Sequence, residues 1–234
     1  MSIEGRVAIV TGASRGIGRA ISEGLGGRGV GVALAARPSA ELEAAAAAIV
    51  AAGGRAVAVA TDVRRYSECE SLVEQTIREL GRLDFVINNA GIGLHAPVVD
   101  TTPEAFSNVL ATNLLGTFHV TRAALPSLLR QQSGTIVQIA SLAGTRANPN
   151  LAAYSASKFA ILGFTESLML EVRHAGIKVA AICPGSVQTG FLERESEPWK
   201  LSPRDVLDAV VYLLESKPAA LPSRIELRPL KPEK

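Results

Sequence analysis

Val7-Ala8-Ile9-Val10-Thr11-Gly12-Ala13-Ser14-Arg15-Gly16-Ile17-Gly18 runs from an apolar tetrapeptide straight into a loop with three glycines. Val7–Val10 reads as a buried strand, and the residues from Ile17 onward read as a helix. Gly12 and Gly16 permit a tight turn and close backbone approach, while Gly18 lets the helix pack against strands. The amides exposed at such a helix start suit a pyrophosphate. A glycine-rich turn with a purely structural role is the alternative reading, and the strand-loop-helix setting favours the first.

The same alternation continues outward from this loop. Candidate strands are Val7–Val10, Gly31–Ala35, Ala56–Ala60, Phe85–Asn88, Thr135–Ile139, Lys178–Ile182 and Arg224–Leu227. Helical patterns fall near Ile17–Gly26, Ala40–Ala52, Ser67–Leu80, Pro103–Arg130, Ala152–Ala175 and Pro203–Glu215. The stretch Pro103–Arg130 is long enough for two helices, or for one bent around Gly116. Strands separated by helix-length crossovers pair in parallel, because a hairpin cannot contain such connections. Their nearly continuous apolar character suits a sheet covered on both faces. The expected fold is one doubly wound α/β domain spanning residues 1–234, with an extended tail at about 228–234 that holds two prolines.

Bulk properties exclude several function classes. The chain of 234 residues is 47% hydrophobic and 20% charged, as expected of a globular protein with a substantial core. Lys and Arg total 24 against 22 Asp and Glu, a net charge of +2 with no basic block, which argues against nucleic acid as partner. The opening residues lack the apolar stretch of a signal peptide. The apolar run Ala44–Ala52 is too short for a membrane span, so no membrane partner is expected. Cys69 and Cys183 are neither clustered nor spaced as metal ligands and read as small packed residues in a reducing compartment. No metal site and a cytoplasmic location are expected.

The second strand, Val30-Gly31-Val32-Ala33-Leu34-Ala35-Ala36-Arg37, ends without the carboxylate that would accept from adenosine ribose hydroxyls. Arg37 and Arg15 instead suit a 2′-phosphate, since guanidinium matches phosphate in charge and geometry. The alternative reading is that both are solvated surface residues. On this reading NADP(H) is favoured over NAD(H).

Tyr154 and Lys158 lie in Ala153-Tyr154-Ser155-Ala156-Ser157-Lys158-Phe159-Ala160, where i,i+4 spacing places both on one helical face. A phenol titrates near pKa ~10, and a fixed positive charge beside it favours phenolate. Such a pair can pass a proton to or from an oxygen at neutral pH. In isolation the spacing is common in helices.

With the glycine loop and this pair, the sequence strongly resembles the short-chain dehydrogenase/reductase family. The resemblance extends to Asp62-Val63 after the third strand, Asn88-Asn89-Ala90-Gly91 after the fourth, and Asn113 in Thr112-Asn113-Leu114-Leu115-Gly116. It also takes in Ser141 after the fifth strand and Pro184-Gly185 with Thr189 after the sixth, covering roughly residues 5 to 190. It implies a Rossmann fold with a seven-stranded parallel sheet in the order 3-2-1-4-5-6-7. The cofactor would bind at the carboxyl ends of the strands, contacted by Gly12, Ser14, Arg15, Gly16, Ile17 and Gly18 of the loop. Asp62 and Val63 would lie by the adenine and Asn89, Ala90 and Gly91 along the adenosine side, although Asn-Asn-Ala-Gly could instead serve only to stabilise the sheet. Pro184, Gly185, Val187 and Thr189 would border the nicotinamide.

The family's catalytic tetrad maps onto Asn113, Ser141, Tyr154 and Lys158. The resemblance implies that Tyr154 exchanges the proton, Ser141 orients the substrate oxygen, and Lys158 lowers the Tyr154 pKa while holding the ribose. Asn113 would position a water that links Lys158 to solvent. It also implies a small-molecule carbonyl or alcohol substrate and a homodimer or homotetramer built on the helices around Pro103–Arg130 and Ala152–Ala175. The resemblance extends to 3-oxoacyl-acyl-carrier-protein reductases, especially in Gly5-Arg6-Val7-Ala8-Ile9-Val10-Thr11-Gly12, but the chain departs from them at its end, Arg224-Ile225-Glu226-Leu227-Arg228-Pro229-Leu230 in place of an Asp-Gly-Gly segment and apolar tail. A substrate lid is expected at about 186–202, with Phe191 and Trp199 in it, and the part Phe191–Leu201 is short. His95 and His119 receive no role. A catalytically idle NADP(H)-binding protein that reports redox state is the alternative to an enzyme.

Replacing Arg37 with Asp is expected to move the NADPH-to-NADH ratio of kcat/KM toward NADH by about tenfold or more, the scale of a charge-assisted hydrogen bond to phosphate. Steady-state kinetics with both cofactors checks this, and an unchanged ratio would overturn the Arg37 assignment.

Overall fold

The computed structural model describes residues 2–189, 191 and 197–231. Positions 190 and 192–196 of the expected lid and 232–234 of the expected tail lie outside the described residues. Strands β1 (Val7–Thr11), β2 (Gly31–Ala36), β3 (Ala56–Ala60), β4 (Phe85–Asn88), β5 (Gly134–Ile139), β6 (Ile177–Pro184) and β7 (Arg224–Leu227) form one sheet. Its order is β3-β2-β1-β4-β5-β6-β7 and every pairing is parallel, as the resemblance implied.

Residue alternation along β1 shows how the sheet is covered. Ala8 and Val10 face a layer made by α1 (Gly16–Gly26), α2 (Ala40–Ala51) and α7 (Pro203–Glu215), where Ile21, Leu25, Leu42, Ile49 and Val210 are buried. Ile9 faces the other layer, in which Leu72, Val120, Leu128 and Leu168 pack from α3 (Tyr66–Leu80), α5 (Gly116–Gln131) and α6 (Ala152–Val172). A period of two along a strand divides one apolar run between two cores, which is why Val7–Val10 is apolar throughout.

The segment Pro103–Arg130 is neither two separated helices nor one simple bend. α4 (Pro103–Leu110) continues through a π-helical turn at Ala111–Leu115 into α5, with the backbone helical at both junctions. The extra residue of a π turn rotates the following helix and carries Asn113 inward, fully buried. α6 ends at Val172, where Arg173–Ala175 tightens into a 3-10 turn before the left-handed Gly176. The tail also differs from expectation at its start. Arg228 and Pro229 line the central cleft, and a Cβ on Gly185 would lie 3.1 Å from Pro229 Cδ, so the chain folds back over the Pro184-Gly185 turn before continuing.

Asp84 ties the amino ends of three strands together. Its side chain accepts from Arg6 (2.9 Å), Arg82 (2.7 Å) and the Val7 amide (3.0 Å). Its own amide donates to Val7 O at 2.9 Å, and its carbonyl accepts from Thr135 N at 3.0 Å. The carboxylate is 3% exposed while the two arginines are 36% and 46% exposed, so the acid is the costly partner to remove. Asp84→Ala is expected to lower stability by about 2–3 kcal/mol, since it strands a buried amide and removes charge-assisted bonds. Arg6→Ala, with Arg82 still in place, is expected to cost about 1 kcal/mol or less. Urea unfolding midpoints of the two variants check the ranking.

Candidate active site

A cleft of about 850 Å³ opens at the carboxyl ends of the strands. The β1–α1 loop forms one wall. Gly12 and Gly16 both have positive φ (64° and 57°), so neither position suits an L side chain. A Cβ on Gly12 would sit 2.9 Å from Ala90 Cα, and one on Gly16 would lie 3.3 Å from Thr189 Cγ2. The loop therefore meets the segment after β4 on one side and Thr189 on the other. Gly18 is a packing residue: a Cβ there would lie 2.2 Å from Gly12 O. Arg15, the residue before α1, makes no side-chain cap, which leaves the first helical amides uncovered.

The structure brings most of the expected residues to this cleft. Arg15, Gly16, Ile17 and Arg37 line it with Asp62, Val63, Asn89, Ala90 and Gly91 on the β1–β3 side. Ser141, Tyr154 and Lys158 line it with Pro184, Gly185, Val187 and Thr189 on the β5–β6 side. Ser14, Gly18 and Asn113 stand outside the lining. Asn89 serves the loop as well as the cleft, since its Nδ2 donates to Thr11 O at 2.9 Å and Gly12 O at 3.3 Å. Asp62 is gripped by Arg64, whose Nε donates to both carboxylate oxygens at 2.9 and 3.0 Å. That hydrogen bonding holds the Asp62 carboxyl below its ordinary pKa.

Ser141, Tyr154 and Lys158 converge because β5 delivers Ser141 directly onto α6. A Cβ on Gly144 would lie 2.7 Å from Lys158 O, so the 3-10 turn Leu142–Gly144 rests on the helix with no spacer. Tyr154 and Lys158 are 9% and 4% exposed. The side-chain arrangement corrects one expectation. Lys158 Nζ lies 5.6 Å from the Tyr154 ring centre and donates to Ile139 O at 2.8 Å. Burial raises the Tyr154 pKa above its ordinary value, against a smaller downward pull from its hydrogen bond with Ser141. Burial also pushes the Lys158 ammonium down to about 8. Desolvation dominates both groups, so the lysine does not by itself pull the phenol down.

Asn113 stands behind the cleft lining and is fully buried. Its Oδ1 accepts from Ile92 N at 2.8 Å, and its Nδ2 donates to Ile92 O at 3.0 Å and Ser157 Oγ at 3.0 Å. Ser157 Oγ in turn donates to Tyr154 O at 2.7 Å. The side chain clamps the segment after β4 to α6.

The described ends of the 186–202 segment are joined: Gln188 N donates to Leu201 O at 2.7 Å and Leu201 N to Ser186 O at 2.9 Å. Phe191 stands 5.7 Å from the Tyr154 ring, and Trp199 lines the cleft. Sequence reading did not single out Arg64, Arg146, Arg228 or Pro229 as lining residues, and it left His95 without a role although it lines the cleft. They sit in loops, where spacing carries no directional signal. Cys69 and Cys183 are buried, and burial pushes their thiols up to about 12 and about 11. Among the described residues no group of three His, Cys, Asp or Glu side chains could hold a metal, and no helix is long and apolar enough to cross a membrane.

A family model for short chain dehydrogenases matches residues 6–199. A 3-oxoacyl-[acyl-carrier-protein] reductase of Synechocystis sp. is 37% identical over 199 residues, covering 84% of this chain and 81% of its own length. A metagenomic short-chain oxidoreductase solved in complex with NADP is 33% identical with a TM-score of 0.86, over 99% of this chain and 100% of the other. An NAD+-bound xylitol dehydrogenase is 29% identical with a TM-score of 0.89, over 98% of this chain and 100% of the other.

The Lys158 shift has a measurable sign. Its folded pKa of about 8 lies below the ordinary 10.5, so between these values the unfolded chain binds the extra proton. Stability contributed by this group therefore rises with pH across that window, and the full cost of burying the charge is present below it. Relative to Lys158→Met, the parental protein is expected to gain about 2 kcal/mol between pH 7 and about pH 9.5. Urea unfolding of both proteins at the two pH values checks this.

Proposed function

The chain belongs to the short chain dehydrogenase family of oxidoreductases, and on that premise we propose that it is an NADP(H)-dependent enzyme interconverting a carbonyl and a secondary alcohol, with Tyr154 as acid and base. The observation that carries the reading is the convergence of Ser141, Tyr154 and Lys158 on one wall of a cleft whose other wall is side-chain-free backbone at Gly12 and Gly16. That backbone cradle, beside the uncovered amides of α1, fits a dinucleotide pyrophosphate. Arg15 and Arg37 line the adenosine end, and Arg15 lies near enough to Glu41 to lower its pKa, after the hydrogen bonds from the Glu41 backbone and Ser39. β2 ends at Ala36, followed by Arg37, with no carboxylate in the ribose-accepting position, which favours a 2′-phosphate over a bare ribose. Residues 1–234 act in this reading as one dinucleotide-binding domain, supported by the enrolment of all seven strands in a single sheet.

When bound, the nicotinamide supplies or accepts the hydride. Thr189 and the Pro184-Gly185 turn would hold its carboxamide end, and Lys158, with one donor on Ile139, has two more N–H groups for ribose hydroxyls. Ser141 orients the substrate oxygen through its hydroxyl. Tyr154 donates the proton to that oxygen in the reductive direction. Its raised pKa keeps the phenol protonated, the form a donor requires, and the Lys158 charge offsets the phenolate left behind. Asn113 holds α6 at the distance these roles need through Ser157. Phe191 and Trp199 cover the substrate end.

The likeness to the Synechocystis reductase makes a 3-oxoacyl thioester the first carbonyl to test. Exposed Leu115, Phe118, Phe159 and Leu170 offer apolar surface for self-association into a dimer or tetramer. The discriminating experiment follows NADPH oxidation across ketones, aldehydes and 3-oxoacyl thioesters. Turnover on one class supports the enzyme, whereas tight NADPH binding with no turnover anywhere supports an idle redox reporter. Tyr154→Phe is expected to lower kcat at least about a hundredfold while leaving NADPH affinity within about threefold. Near-parental turnover in that variant would remove Tyr154 as the acid.

A further inference from the structure

His119 takes no part in the chemistry above, yet it reaches the cleft through the backbone of Val63. Val63 lines the cleft just after β3, and its carbonyl is taken by side chains from outside the lining. His119 Nδ1 lies 2.9 Å from Val63 O, and the Cys69 thiol donates to the same oxygen at 3.6 Å. A carbonyl can only accept, so Nδ1 carries the proton. One residue earlier, the Asp62 amide donates to Glu68 Oε2 at 2.7 Å. The Asp62-Val63 turn, whose residues line the cleft, is thus held through its backbone from behind.

The histidine ring is itself held. Tyr66 meets it edge-on at 5.8 Å and Phe118 lies 5.9 Å away. The Arg122 guanidinium lies 4.4 Å from the Tyr66 ring centre. One helical turn before His119, Gly116 lets Val63 press against α5, where a Cβ would come within 2.5 Å of Val63 Cγ2. Gly116 and His119 therefore share the face of α5 that receives the turn, one by shape and the other by a hydrogen bond.

We propose that His119 is a positioning residue for the cofactor: by holding the Val63 carbonyl it fixes the turn against which the adenine packs, and so sets affinity for the adenosine half without touching the reacting atoms. This rests on the dinucleotide reading of the cleft. A turn that lost its shorter donor would have to be ordered at the moment of binding, and that cost appears as weaker binding rather than slower chemistry.

The test uses His119→Phe, which keeps a ring without the donor; His119→Asn, whose Nδ2 stands where Nδ1 stood; and His119→Gln, whose amide reaches the Nε2 position instead. Calorimetry measures NADPH and the 2′-phospho-ADP-ribose fragment, and steady-state kinetics separates KM from kcat. Phe and Gln are expected to weaken both ligands and raise the NADPH KM by about three- to tenfold, with kcat at saturating NADPH within about twofold. Asn is expected to restore both to within about twofold of the parental values. Parental binding in Phe and Gln, a loss in kcat equal to the loss in affinity, or equal weakening in Asn and Gln would each overturn the role. If Phe fails to fold, the Asn–Gln comparison decides. If the parental protein binds neither NADPH nor the fragment, the dinucleotide reading itself fails; if it binds both and the variants do not differ, only the His119 role does.

Discussion

The approach of α1 to the end of β1 is the contact on which the cleft depends. At Gly18 the helix comes so near that a methyl group would lie 2.2 Å from Gly12 O. Asn89 closes the same junction from β4, with its amide nitrogen on the Thr11 and Gly12 carbonyls. Thr11 Oγ1 accepts in return from the amides of Asn89 and Ala90, each at 3.0 Å. Strand, loop, helix and neighbouring strand are thereby locked into one body, with Gly16 and Ile17 at the start of α1 lining the cleft. Any larger side chain at Gly18 would tilt the helix and move those residues.

On the other wall, burial governs the chemistry. Tyr154 and Lys158 are removed from water on the same helical face, and desolvation moves each toward its neutral form. The ammonium is retained by the Ile139 carbonyl at the end of β5. The position of α6 relative to the sheet is then set by a chain of hydrogen bonds from Ile92 through Asn113 and Ser157 to the Tyr154 carbonyl. The π turn at Ala111–Leu115 carries Asn113 into that chain. A strict α-helix through the same residues would present a different register of side chains to Ile92.

Elements were legible where periodicity is strong. The strand centres and the start of α1 agree closely with the apolar runs and the glycine loop, because strands covered on both faces leave a continuous signal. The seven-stranded order followed from the family resemblance and is the observed one. Boundaries were less legible: β6 extends to Pro184 because β7 pairs with it there, a long-range partner that no local window contains. The π turn was invisible for the same reason, since it depends on what Asn113 finds across the fold.

For the site, residue identities and chain order named the candidates, and the physical reason is local. A glycine that needs positive φ, a missing carboxylate after β2, and a Tyr and Lys four apart on a helix are properties of a few consecutive residues. Which way a side chain is turned, and how dry its surroundings are, depends on neighbours far along the chain. Only the tertiary structure could therefore place Lys158 on Ile139, raise rather than lower the phenol, commit Asn113 to Ile92, and set His119 on the carbonyl of Val63.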